Sequence, residues 1–204
     1  MINEREWIQR VLSGDQDAFA HLVKEYEKQV YHLCLRMVGN SEDAADLAQE
    51  AFFKAWKGLK FYKFEASFPT WLYRLTTNVC IDFLRKQKRQ LTVSLTVEDE
   101  EDGQETELPD HAPLPEEQLL KKERQQQIQR AMQELEEEAR LILSLRVVED
   151  LSYEQIAQIM DLKIGTVKSR LARARERLKK SLARNGNNYL DSSSNYTERE
   201  EGAQ

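Results

Sequence analysis

Residues 151–180 read LSYEQIAQIMDLKIGTVKSRLARARERLKK, and two helices of unequal length can be parsed from them. Ser152 followed three residues later by Gln155 is a capping box, and Leu151 with Ile156 fills the two positions of a hydrophobic staple, so a helix starts at Ser152. It is short, YEQIAQIM, and the turn DLKI separates it from a second helix that opens at Gly165 and is rich in Lys and Arg. Two helices joined by a three- or four-residue turn form a helix-turn-helix. At about 100° per residue, Val167, Leu171, Ala174 and Leu178 fall within roughly 40° of one another and make the seam that packs inward. Thr166, Ser169, Arg173 and Arg177 lie opposite that seam, and Lys168, Arg170 and Arg175 flank it. Hydroxyls and guanidinium groups on one face can meet base edges and phosphates together. Gly165 and Ala172 are small enough to let the helix sit deep in a groove. Asp161 stands where such turns commonly carry glycine, a position that asks for left-handed backbone.

Upstream, ARLILSLRVV reads as an apolar helix, and a further helix carries Ile128, Met132 and Leu135. Before these lies a break in composition. Residues 96–118 hold ten Asp/Glu, no Lys/Arg and all but one of the four prolines, which is the composition of a solvated connector. The overall charge of −6 therefore misleads about partners, because residues 1–95 carry 14 Lys/Arg against 12 Asp/Glu and residues 119–184 carry 15 against 10. Acid is confined to the connector and the C-terminal tail. The chain is expected to be all-α, with a helical domain over 1–92, an acidic flexible linker over 93–118, a helix-turn-helix domain over 119–184 and a disordered tail over 185–204 that begins where Asn185-Gly186 stops the last helix.

In the first domain Phe19, Leu22, Val23, Tyr26, Val30, Leu33 and Met37 form one helical stripe ended by Gly39-Asn40. Ser41 is expected to cap a second helix, with Glu42 and Asp43 in its first turn where the helix dipole favours negative charge. On that helix Ala44, Leu47, Ala48, Ala51, Phe52, Ala55 and Trp56 share one broad apolar face. Phe53 falls on the opposite face among Asp46, Gln49 and Glu50, an aromatic anchor in a polar rim, as partner surfaces are often built. After about Leu59 comes the irregular, aromatic stretch LKFYKFEASF, and Ser67 then caps a long helix that runs into RKQKR. Phe61, Tyr62, Lys63 and Phe64, with Arg74 and Arg85 beyond, combine stacking surfaces and cations, the equipment for holding unpaired bases. Phe68 and Trp71 are read as core.

The segment 151–180, together with DLAQEAFFKAWKGLKFYKFEASFPTWLYRLTTNVCIDFLRKQKR at 46–89, resembles the two domains of the extracytoplasmic function (ECF) group of sigma factors in the sigma-70 family. The resemblance spans both domains and excludes the linker and tail. It implies a subunit that binds core RNA polymerase and directs initiation at promoters. By resemblance, the helix with Asp46, Gln49, Glu50 and Phe53 docks on the coiled-coil clamp of the largest polymerase subunit. The loop with Phe61, Tyr62, Lys63 and Phe64 captures an extruded base of the melted −10 element, with Arg74, Asn78, Asp82 and Arg85 along the same strand. Thr166, Lys168, Ser169, Arg170, Arg173 and Arg177 would read the −35 duplex. An anti-sigma factor that masks one or both domains is the other implied partner. The acidic linker is expected to discourage DNA binding by the free protein.

No cofactor or metal is expected, and no enzymatic activity. His21 and His32 are eleven residues apart on one helix, about 16 Å along the axis, too far to share an ion. His111 is in the linker, and P-loop, nucleophile-elbow and HExxH motifs are missing. Cys34 and Cys80 sit singly inside helices and read as reduced core thiols. No apolar run approaches the roughly 20 residues of a membrane span, and MINEREWIQR lacks the features of a signal peptide, so a cytoplasmic protein without membrane insertion is expected. From the residues alone two other readings stay open: a stand-alone helix-turn-helix regulator that dimerises through its first domain, and a helical RNA-processing or hydrolytic enzyme.

Overall fold

The computed structural model describes the backbone of residues 4–94, 116–148 and 150–197, and side chains within 4–90, 123–147 and 150–184. All regular structure among the described residues is helical. Most of the acidic linker, and with it the expectation placed on its charge, lies outside them.

A helix that the sequence reading did not include opens the chain: α1, Glu4–Leu12, buries Ile8 and stacks Trp7 on His21 with ring centroids 3.9 Å apart. Gly14, at φ +106°, turns the chain into α2, Ala18–Val38, whose expected stripe is buried except for the half-buried Val23. Gly39 ends α2 in left-handed backbone (φ 91°), its N–H donating to the Leu35 carbonyl at 2.8 Å, the usual glycine C-cap. The next helix, α3 (Ser41–Gly58), is capped by Asn40 and not by Ser41. Leaving the left-handed Gly39, the chain is extended at Asn40, and the Asn40 Oδ1 accepts the Asp43 N–H at 2.8 Å. Ser41 is already the first helical residue.

A 3-10 turn at Leu59–Phe61 and an aromatic loop lead to α4, Phe68–Ser94. Ser67 Oγ accepts the Thr70 N–H at 3.3 Å, as a cap should. The helix passes through the basic run and beyond the boundary expected at 92. Ala44, Ala51 and Ala55, all fully buried, bring α3 close to its neighbours. The Sγ atoms of Cys34 on α2 and Cys80 on α4 lie 3.7 Å apart, both free and buried. Burial and hydrogen bonding to Cys80 push the Cys34 thiol well above its ordinary range, the hydrogen bond first, which fits inert core thiols.

The second half is α5 (Glu116–Gln133), α6 (Glu137–Leu143), a π-helical turn over Ser144–Val148, α7 (Tyr153–Met160) and α8 (Ile164–Thr197). The apolar segment around residue 145 is thus a short α-helix that widens into a π turn. Two of its polar side chains, Arg140 and Ser144, are deeply buried. Arg140, 7% exposed, donates to the carbonyls of Met132 at 3.0 Å, Gln133 at 2.7 Å and Leu135 at 3.1 Å, acceptors at and just past the end of α5, of which Met132 also takes the Leu135 N–H at 3.2 Å. Burial lowers its pKa from the ordinary value, yet the guanidinium keeps its charge at neutral pH.

The capping box at α7 is present in both directions: Ser152 Oγ accepts the Gln155 N–H at 3.2 Å and Gln155 Oε1 accepts the Ser152 N–H at 2.8 Å. Asp161 ends α7 in left-handed backbone at φ 52°. Asn185-Gly186 does not stop α8, which continues to Thr197; a helical glycine costs only about 1 kcal/mol relative to alanine, less than the continuing backbone hydrogen bonds can offset. The halves are not separate in space, because their buried apolar side chains form one continuous cluster.

Candidate functional site

Three surfaces carry the candidate residues. On α3, Asp46, Gln49, Glu50 and Phe53 recur at helical spacing and all are exposed. Phe53 is 51% exposed, an aromatic ring in solvent that the α2–α3 core does not use. Lys57 Nζ sits 4.0 Å from its centroid, and Glu50 pairs with Lys54 at 2.8 Å. Trp56, read as part of the apolar face, is instead 41% exposed at the edge of that face. With Phe19, Val23, Phe52 and Phe53 it lines a groove of about 580 Å³ between α2 and α3. Its position at the end of the apolar arc, with a ring larger than the alanines around it, is the signal that could have shown it.

The second surface is the loop 59–68 with the exposed side of α4. Phe61 is 72% exposed with Lys60 Nζ 5.0 Å from its ring centroid, and Lys63 is exposed too. Phe64 is held at φ 60°, half-open, with the Arg5 guanidinium over its ring at 5.1 Å. Tyr62 departs from its expected role. It is buried, its ring 5.1 Å from Trp71 and 4.6 Å from Phe64, and its hydroxyl donates to the Ala66 carbonyl at 2.6 Å. Tyr62 therefore shapes the loop from beneath and offers no open face for stacking. Phe68 is buried as expected, while Trp71 is only partly so. Arg74, Asn78, Asp82 and Arg85 are all exposed and follow one another along a single stripe of α4, continuing the line from Phe61.

On α8 the seam Val167, Leu171 and Ala174 is buried, and Lys168, Ser169 and Arg173 are exposed. Thr166 is half-buried, its carbonyl accepting the Ser169 hydroxyl at 3.0 Å. Arg170 and Arg177 are placed on the flank. Arg170 pairs with Glu138, Arg177 with Glu136 at 2.7 Å, and about two turns further on Arg184 pairs with Glu134 at 2.6 Å. Three arginines seven residues apart thus face three acids two residues apart where α5 turns into α6. The arginines are legible in the sequence, but acids more than 30 residues away give no local sign of pairing with them. Each keeps donors that a carboxylate does not occupy.

Two family models match the chain, sigma-70 region 2 over residues 22–90 and sigma-70 region 4 over residues 125–178. They cover the helices that carry all three surfaces. The ECF RNA polymerase sigma factor SigW of Bacillus subtilis is 37% identical over 183 residues, 89% of this chain and 97% of the relative. The chain belongs to the ECF sigma factors. The ECF RNA polymerase sigma-E factor of Escherichia coli, 37% identical over 86% of this chain and 92% of its own, agrees. In fold, this sigma factor is similar to CnrH in its complex with the cytosolic domain of CnrY (TM-score 0.63, 21% identity, 87% of this chain and 96% of the other). It is likewise similar to the sigma factor RpoE of Bartonella quintana in its complex with the anti-sigma factor NepR (TM-score 0.62, 24% identity, 80% and 96%). Its function is that of a sigma factor, promoter-specific initiation of transcription with RNA polymerase. Among the described residues no helix is long and apolar enough to cross a membrane.

Proposed function

We propose that the work of initiation is divided among the three surfaces as follows. The exposed α3 face at Asp46, Gln49, Glu50 and Phe53, extended by Trp56, docks on core RNA polymerase. The loop at Phe61, Lys63 and Phe64 and the stripe Arg74, Asn78, Asp82 and Arg85 hold the melted −10 strand. Thr166, Lys168, Ser169 and Arg173 read the −35 duplex, while Arg170 and Arg177 position the helix and lend spare donors to phosphates. The first domain extends to about residue 92, the second spans 119–184, and the linker lets them sit on separated elements. The protein acts inside the cell as a non-enzymatic subunit, and the chemistry belongs to the polymerase. The sigma factor RpoE of Bartonella quintana, similar in fold, is complexed with the anti-sigma factor NepR, and this chain is proposed to take a partner of that kind.

The observation that carries this reading is the exposure of Phe53 in an acidic and amide rim on the helix matched by the region 2 model. Hot-spot aromatics at interface centres contribute about 2 kcal/mol or more. Phe53→Ala should therefore weaken binding to core polymerase about 30-fold in a fluorescence titration and leave binding of a −35 duplex unchanged. Arg173→Ala should do the reverse. Promoter-dependent run-off transcription with purified core enzyme tests the whole; equal loss of both binding activities in both variants would defeat the division.

A further inference from the structure

The helix that opens the chain precedes the residues matched by the region 2 model, which begin at 22, and it carries one cation onto the aromatic loop. Three contacts fasten α1 in place. Ile8 is buried in the core, Trp7 stacks on His21 with ring centroids 3.9 Å apart, and the Tyr26 hydroxyl donates to the Glu4 carboxylate. Arg5, next to Glu4, is thereby delivered to a fixed place, its guanidinium carbon 5.1 Å from the centre of the Phe64 ring. A cation at that distance is attracted to the ring face. Phe64 in turn lies 4.6 Å from Tyr62. From the core outward the order is ring, ring, guanidinium: Tyr62 is buried, Phe64 is 40% exposed and Arg5 is exposed. Phe64 also holds left-handed backbone, φ 60°. A bulky residue adopts it only where the surroundings impose it, and such residues cluster at functional sites. The bond from the Tyr62 hydroxyl to the Ala66 carbonyl closes the loop around Phe64, and the ring contacts hold its side chain.

Tyr62 borders two cavities. One, of about 500 Å³, is lined in part by Phe61, Lys63, Trp71 and Arg74; the other, of about 220 Å³, is lined in part by Glu4, Arg5, Ile8 and Phe64. The first contains residues already assigned to the −10 strand, and the second lies on the α1 side of the same loop. A strand gripped along α4 and at Phe61 therefore has a further place for a base where it crosses the loop, and the group standing there is Arg5. Its guanidinium is planar, stacks on flat π surfaces and has five N–H donors. Among the described residues no carboxylate forms an ion pair with it. We propose that Arg5 is a −10 contact: held over Phe64, its guanidinium stacks an unpaired base of the melted strand, and α1 is part of the strand-holding surface. Phe64 supports that platform, and Phe61 is the open ring beside it. The inference deepens the assignment of the −10 surface given above and rests on it.

The test uses the full chain assembled with core RNA polymerase and a fluorescent 12-nucleotide single strand selected by that assembly from a random pool, with binding by core enzyme alone subtracted. Arg5→Ala should weaken strand binding at least about fivefold, the low end for one stacked base. Arg5→Lys, which keeps the charge and loses the plane, should lose nearly as much. The same strand is then made with an abasic site at each position in turn. At one position the missing base should cost wild type about what Arg5→Ala costs, and Arg5→Ala should add nothing there while still costing about fivefold elsewhere. Helix content by circular dichroism, binding to core polymerase and binding of a −35 duplex should not move, as they would if α1 only supported the fold. Wild-type strand binding by Arg5→Lys would mean a phosphate contact, and an equal cost of Arg5→Ala at every abasic position would mean that no base rests on it; either overturns the proposal. Undiminished binding by Arg5→Ala, with binding abolished by Phe61→Ala, Arg74→Ala, overturns it while leaving the −10 surface standing. If Phe61→Ala, Arg74→Ala binds the strand like wild type, the assignment of that surface fails and the role of Arg5 falls with it.

Discussion

Replacing Arg140 by methionine keeps much of the side-chain volume and removes every donor. Three of its bonds, to the Met132, Leu135 and Met37 carbonyls, are buried, and the fourth, to Gln133, is partly so. A hydrogen bond from a charged donor contributes about 1.5–3 kcal/mol, and a buried acceptor left without a partner carries its own desolvation cost. Counting the three buried bonds at the low end gives about 4.5 kcal/mol, and the fourth raises the total to about 5–6 kcal/mol, a large share of the stability of a small domain. With a denaturant slope of about 2–3 kcal/mol/M, the urea midpoint should fall by roughly 2–2.5 M. Circular dichroism at 222 nm measures it, and Arg140→Lys, which retains one charged donor group, should recover part of the loss. A midpoint shift below about 0.3 M for Arg140→Met would mean that solvent or neighbouring donors satisfy those carbonyls, and the reasoning about the end of α5 would be wrong.

Ser152→Ala removes one half of the capping box and should cost about 1 kcal/mol, a fall of roughly 2–4 °C in the melting midpoint for a chain of this size. Asp161→Ala forces a Cβ-bearing residue without a local side-chain acceptor into left-handed backbone, which should cost about 1 kcal/mol, whereas Asp161→Gly should melt at or above wild type. Glu136→Gln with Glu138→Gln releases Arg177 and Arg170 for phosphates; the log–log salt slope of duplex binding should steepen by roughly one to two, and an unchanged slope would show that neither arginine reaches DNA.

Much of the fold could be read from residues because its signals are local. The capping box at Ser152, the left-handed turn at Asp161 and the glycine end of α2 each depend on a few neighbours in sequence, and each stands where expected. Asn40 for Ser41 is a one-residue difference that arose because two good capping residues are adjacent and the preceding backbone chose between them. Tyr62 illustrates the opposite case. An aromatic loop shows how many rings are available and not which of them turns under the chain, and Tyr62 is buried because its hydroxyl finds the Ala66 carbonyl. The α1 helix is hard to read although Trp7, Ile8 and Val11 have helical spacing, since nine residues carry little periodic signal. The packing of the two halves is not legible for a physical reason: the acceptors that join them are backbone carbonyls, which every residue possesses, and Arg140 is one of two arginines in ARLILSLRVV, with nothing local to set it apart.

The row of arginines on α8 bears on how such a protein can change its target. Positions 170, 177 and 184 pair with the acids at 138, 136 and 134, and with the buried seam at 167, 171 and 174, which supplies most of the hold, they set how the helix is presented. Side chains on the opposite edge, at 166, 169 and 173, carry none of that fastening. Exchanging them alters which bases are met without altering how the helix is presented, so promoter preference can drift by single substitutions on a mount that stays still.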